Sequence, residues 1–384
     1  MAGWQEGRKP RSERGRVTRW PHALVLVVGA SAVITASAAW SLRAAAQTTP
    51  AAPTFAALVE QLSEPNGEFD TDNLISNESS YLHVVPALEQ GGVTGGVYIG
   101  VGPDQNFSYI ARIRPTSAFI IDIRRDNLLL HLLLKAIFAA SRNRMEFLSV
   151  LTGRPAPDRL DTWRDASIDE IVGYLDETKP AAAAAVDGRL HDTMRTFGVQ
   201  VSAKELATID RFHASFVQAG LSLQFHSSGR PALEYYPTYR DLLLETDRRG
   251  RKLCYLASED DFQFVRALEA RDGVVPVVGD LSGPHTLRAI GQLIARRGDR
   301  VSAFYVSNIE NYLFRDGSFT RYMDNVKQLP RSDKSVIIRS IFRGYSLPDS
   351  VPGYYSTSTV QNMNELVTKC GVGRCRGYVD LLHR

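Results

Sequence analysis

Between Val97 and Asp122 two short apolar runs flank a glycine loop, and this spacing limits the possible folds more than any other feature of the chain. Val97-Tyr98-Ile99 reads as a buried strand, Gly100 to Asp104 as a tight loop, Asn106 to Arg112 as the next turn of chain, and Ala118 to Asp122 as a second strand ending on a carboxylate. Glycines at the carboxyl end of a first strand let a ligand approach the backbone, and an acid about 20 residues later accepts hydrogen bonds from two ribose hydroxyls. The stretch therefore reads as the front half of a nucleotide-binding α/β unit. Its candidate ligand contacts are Gly100, Gly102, Pro103, Asp104 and Asp122.

The rest of the body continues this rhythm after an interruption. Leu128 to Phe138 is too long and too leucine-rich for a strand and reads as an apolar helix carrying His131 and Lys135 four residues apart. Residues 152–246 change character, with Pro155 and Pro157 followed by helical patterns, and read as a mainly helical insertion that caps a pocket. Strand-like runs then alternate with helices: Lys252 to Ala257, Val274 to Leu281, Val301 to Val306 and Ser335 to Ser340. Alternation of this kind predicts an α/β fold, doubly wound, with a mostly parallel sheet whose ligands lie beyond the carboxyl ends of the strands. The body thus divides into residues 55–151, the insertion 152–246, and 247–384.

The glycine loop, Asp122 and Asp280 together resemble the class I S-adenosylmethionine-dependent methyltransferases, whose first strand ends in acid-x-G-x-G-x-G and whose second ends in a ribose-binding acid. Gly100 and Gly102 match; Tyr98 stands where that family has its acid, and Asp104 where it has the third glycine. The resemblance implies a Rossmann-like methyltransferase fold with S-adenosylmethionine as cofactor. It implies that Asp280, in Val-Val-Gly-Asp-Leu, lies at the position that meets the adenine amino group. Ser307 to Tyr312 follows the fourth strand, where the family places catalytic and target-positioning groups, making Asn308 and Glu310 candidate catalytic residues and Tyr312 a candidate substrate contact. Glu310 is the candidate general base. The polar run Asp70 to Tyr81 precedes the first strand, and an uncharacterised bacterial branch of methyltransferase-like proteins carries a similar Asp-Asn-x-x-Ser-Asn-Glu. Asn77, Glu78 and Tyr81 are candidate substrate contacts, or else ordinary helix-capping residues.

The amino terminus sets the expected location. Basic residues crowd residues 1–22, and Ala23 to Leu42 is an uncharged, mostly apolar run long enough to cross about 30 Å of hydrocarbon as a helix. The flanking charge predicts a cytoplasmic tail and an extracytoplasmic, periplasmic body. The run is read as a transmembrane anchor, or as a signal cleaved near Ala46; residues 47–54 are the linker. Removing the basic tail leaves a nearly neutral body, from a formal net charge of only +3, so a nucleic-acid partner is not indicated. Cys370 and Cys375 frame a short loop that can close as a disulfide, while Cys254 reads as a buried thiol; neither spacing makes a zinc site. G-x-S-x-G and G-x-x-x-x-G-K-[ST] do not occur. Two functions are therefore expected in competition: methyl transfer to an unknown acceptor, and an exported, non-catalytic ligand-binding or interaction domain on the same scaffold.

Overall fold

Most of the strands form where β-branched and aromatic residues run with little charge, and the strands assemble into a mixed α/β domain built on a six-stranded sheet. The computed structural model describes residues 53–384 except 72, 181–183, 228–229, 343–346, 372 and 383–384. The strands are β1 (Val97–Val101), β2 (Ser117–Asp122), β3 (Val274–Val278), β4 (Val301–Tyr305), β5 (Arg331–Phe342) and β6 (Ser356–Asn362), in the order β3-β2-β1-β4-β5-β6. All pairs are parallel except β5 with β6. Every residue of β1 and β3 is buried, as expected of parallel strands covered on both faces. The order reverses between β1 and β4, and a crevice opens at such a switch point.

Two departures from the sequence pattern have physical reasons. Lys252 to Ala257 forms no strand, only an isolated bridge between Thr246 and Lys252. Its apolar residues Cys254, Tyr255 and Leu256 are buried all the same, because Tyr255 packs edge-on to Phe107 and Phe147 in an aromatic cluster. A short apolar run satisfies a loop pressed into a core as well as it satisfies a strand. β6, in contrast, is Ser-Thr-Ser-Thr-Val-Gln-Asn and carries no apolar signal. Its inward serines are satisfied by another hydroxyl: Ser80 Oγ lies 2.9 Å from Ser356 Oγ and 3.1 Å from Ser358 Oγ.

Residues 152–246 do fold mainly as helices, Ile168–Glu177, Ala184–Thr196, Ala203–Ala219 and Tyr239–Leu244, and Ala52–Arg384 is one unit. Ile168–Glu177, Ala203–Ala219 and Tyr239–Leu244 each begin with a reciprocal capping box, at Ser167, Ser202 and Thr238. Cys370 and Cys375 are joined by a disulfide. Among the described residues no helix is long and apolar enough to cross a membrane; the run Ala23 to Leu42 lies outside the described residues.

The first helix, Phe55–Leu62, leads into a segment that completes the edge of the sheet. Pro276 interrupts hydrogen bonding on β3, which suits an edge strand. Beyond it, Glu64 N–H donates to Val278 O at 2.8 Å and Ser63 Oγ accepts from Val278 N–H at 3.1 Å. The Glu64 carboxylate accepts from the backbone N–H groups of Asp280, His285 and Thr286 at 3.0, 2.8 and 3.0 Å. It thereby caps the helix Thr286–Arg296, whose first N–H groups would otherwise lack acceptors.

Candidate functional site

A cavity of about 250 Å³ opens beyond the carboxyl ends of β1, β2, β3 and β4. The glycine loop supplies Gly102 and Pro103, β2 supplies Asp122, and the residues after β3 and β4 supply Asp280 and Asn308. Asn77 and Glu78 come from the segment before β1, and Tyr312 from the helix Ile309–Arg315. Among the candidates, Gly100, Asp104, Tyr81 and Glu310 are not part of this wall.

Each of those four is held elsewhere. A Cβ on Gly100 would lie 1.9 Å from Asn106 Oδ1 and 2.7 Å from the Tyr98 ring, so the space beside this glycine is filled by the protein itself. Asn106 then fastens the loop, its Nδ2 donating to Val101 O and Pro103 O at 2.9 and 2.7 Å while Oδ1 accepts from Tyr98 OH at 2.8 Å. Asp104 turns away and accepts from Tyr239 OH at 3.0 Å and Tyr255 OH at 3.1 Å; burial pushes its carboxyl up to about 6. Tyr81 is buried and donates to Leu242 O at 2.8 Å. Glu310 is buried against Arg339, whose Nε and Nη2 both donate to it, with Tyr322 OH at 3.2 Å. Helical period explains the last case: Ile309, Tyr312, Leu313 and Asp316 line the cavity at the spacing of one helix face, and Glu310 points off that face.

The backbone at the site is unusual. Gly102 has φ +81°, and two of the non-glycine residues with positive φ, Asn73 (51°) and Ser307 (52°), also line the cavity. Glycine adopts positive φ readily, whereas at non-glycine residues such conformations cost of order 1–3 kcal/mol and concentrate at functional sites. His131 supports the loop from behind: its Nε2 donates to Gly102 O at 2.9 Å, and burial lowers its pKa to about 4, so the ring is neutral. It does not pair with Lys135, whose ammonium bonds Glu269 and Asp272 and lies 4.7 Å from the centre of the Phe55 ring.

The cavity wall carries the carboxylates of Glu78, Asp122, Asp280 and Asp316 and, among the described residues, the single guanidinium of Arg124. Asp122 Oδ1 accepts from Arg124 N–H at 2.9 Å and Nε at 3.3 Å, and Oδ2 from Nη2 at 3.1 Å. Arg124 Nη1 donates to Thr71 O at 2.6 Å. Asp280 is turned by Ser282, which donates from N–H at 2.7 Å and from Oγ at 3.1 Å. Glu78 is raised above the usual carboxylate range by burial, with hydrogen bonds from Ser307, Tyr305 and Gln105 opposing the rise. A second cleft, of about 490 Å³, shares Phe69, Thr71 and Arg124 with the cavity and reaches Arg211, Phe212 and Ser215 on the insertion helix Ala203–Ala219. Among the described residues no group of three or more histidine, cysteine, aspartate or glutamate side chains could hold a metal ion.

Sequence reasoning did not single out Asn106, Gln105, Tyr305 or Ser307. The signal for Asn106 was a polar residue in the first turn after a glycine loop whose carbonyls need donors. Comparison with curated proteins finds no match. The model of the family described as Domain of unknown function (DUF7790) matches residues 74–382, and the chain belongs to that family.

Proposed function

We propose that the cavity binds an adenosyl ligand of the S-adenosylmethionine class, and that the domain is a methyltransferase-like protein of Rossmann-like fold. The observation that carries this reading is the convergence of Gly102, Asp122, Asp280 and Asn308, from the ends of four neighbouring strands, on one cavity at the switch point of the sheet.

The donor and charge set fits that class. A surplus of carboxylates favours a cationic ligand and disfavours a phosphate-bearing dinucleotide. Arg124 is committed to Asp122 and Thr71, which argues against a role in binding a 2′-phosphate. Asp122 would accept from ribose hydroxyls on the face that Arg124 leaves open, and Asp280 would lie at the adenine end. When bound, S-adenosylmethionine supplies an electrophilic methyl group on a sulfonium. The protein contributes alignment: the acceptor would enter along the larger cleft, past Phe69 and Arg124, so that the insertion selects it.

Specific observations favour the second reading, an exported binding domain without catalysis. Asn106 and Tyr98 fill the space beside Gly100, and the candidate base Glu310 is locked on Arg339. The Cys370–Cys375 disulfide accords with an oxidising, extracytoplasmic location, where a membrane anchor or signal at Ala23 to Leu42 would place the body.

Calorimetric titration of S-adenosylmethionine and S-adenosylhomocysteine into the purified protein tests the primary reading. Binding is expected, with Asp122→Asn weakening it roughly tenfold, since one hydrogen bond to a charged group is worth ~1.5–3 kcal/mol. Absence of heat at millimolar ligand would remove the adenosyl reading and leave the binding domain. Binding without methyl transfer to any acceptor tried would support the second reading.

A further inference from the structure

Glu78 belongs to the cavity wall although it is only 1% exposed. The groups that hydrogen-bond its carboxylate are all neutral: Ser307 Oγ on Oε1, and Tyr305 OH (2.7 Å) with Gln105 Nε2 (3.3 Å) on Oε2. Among the described residues no lysine, arginine or histidine pairs with it. A buried carboxylate without a cation is costly, and proteins commonly retain one where a ligand completes it. The Ser340 hydroxyl also stabilises this carboxylate and is likewise neutral, so none of the groups around it supplies the missing cation. Gln105, which donates to it, keeps its own Oε1 buried with no hydrogen-bond partner among the described residues. Asp122 is paired with Arg124, and Asp280, although bonded only by the neutral Ser282, is half-buried, so neither is a fully buried charge without a cation.

We propose that Glu78 receives a protonated amine carried by the ligand. The inference rests on the adenosyl reading and names the chemistry of the ligand's far end. An ammonium fits better than a sulfonium at this wall because it brings three N–H donors to lone pairs, whereas a sulfonium donates none. Ser307, held at φ +52°, lines the same cavity and bonds Oε1, so a ligand amine would meet the carboxylate beside its hydroxyl. Phosphate-bearing or uncharged ligands would leave the carboxylate as it stands.

The test compares S-adenosylhomocysteine with its deamino analogue, in which hydrogen replaces the α-amino group, by titration into the full-length protein. The wild type is expected to prefer the amine-bearing ligand by roughly tenfold or more. Glu78→Gln is expected to abolish that preference while changing affinity for the deamino analogue by less than about twofold. Thermal melts check that the variant folds; should it not, Glu78→Asp, which keeps the charge but withdraws it by one methylene, is expected to reduce the preference. Equal affinity of the wild type for both ligands would overturn the proposal while leaving the adenosyl reading intact. So would a preference that survives in the glutamate variants. Binding of neither ligand would remove the adenosyl reading and this proposal with it.

Discussion

Glu78 and Glu310 are both buried glutamates, both bonded by a tyrosine hydroxyl, and both lie near the carboxyl end of β4 in sequence or in space. Their surroundings differ in one respect. Arg339 meets Glu310 with two N–H groups inside the core, whereas Glu78 is held by neutral donors at the wall of a cavity. A paired carboxylate is finished as structure. One that lacks its cation is stabilised only in part, and where it also faces a cavity, as Glu78 does, a ligand can supply what is missing. Asp104 is a useful third case, since it too has only neutral donors but lines neither the cavity nor the second cleft.

The largest effect expected is on the paired site. Arg339→Met would leave Glu310 buried without its cation and should destabilise the protein by about 3–5 kcal/mol in chemical denaturation, with much of this recovered in the Glu310→Leu, Arg339→Met double variant. A small loss in the single variant would erase the contrast. Next is Asp104, whose carboxyl is raised from 3.8 to about 6. The unfolded chain releases its proton first, so this group's contribution to stability is full below pH 3.8 and is lost as pH rises through 6. Asp104→Asn should flatten that part of the stability profile, a change of about 3 kcal/mol at most, from ~1.4 kcal/mol per pKa unit.

Gly102→Ala places a side chain at φ +81° with its Cβ 3.3 Å from Asn73 Nδ2. A cost of roughly 1–2 kcal/mol is expected from the backbone alone, measurable as a lowered midpoint in urea. The smallest effect is expected at Glu78. Glu78→Gln removes a charge that burial already disfavours, so stability should change by less than about 1 kcal/mol, near the net worth of one hydrogen bond. Its sign should turn stabilising as pH rises above 4.5, where the unfolded wild type begins to ionise. Glu78→Gln as damaging as Arg339→Met would show that the two carboxylates are alike after all.

The sequence shows which backbone positions reach the strand ends, but not which way their side chains turn. β1, β2 and the acid at Asp122 were legible because apolar runs, glycines and a strand-end carboxylate are local signals. Parallel order then carries Asp280 and Asn308 to the same rim without further information. Asp104 and Glu310 were misplaced because each follows a cavity residue by one position, and on a helical turn one position is about 100° of rotation. β6 was invisible because its buried serines are satisfied by Ser80, a partner 276 and 278 residues away. The commitment of Arg124 to Thr71 O is a tertiary fact of the same kind.

Glu64 lies ten residues ahead of the first position matched by the family model, yet it supplies the acceptor for three backbone N–H groups around Asp280 and Thr286. A fragment trimmed to begin at residue 74 would lose this clasp, together with the chain that pairs with Val278. The rim of the cavity on the β3 side would then be free to fray, and ligand affinity measured on such a fragment would understate that of the longer chain. The useful boundary for expression therefore lies upstream of Phe55, where both the first helix and the Glu64 carboxylate are retained, and not at the limits of family similarity.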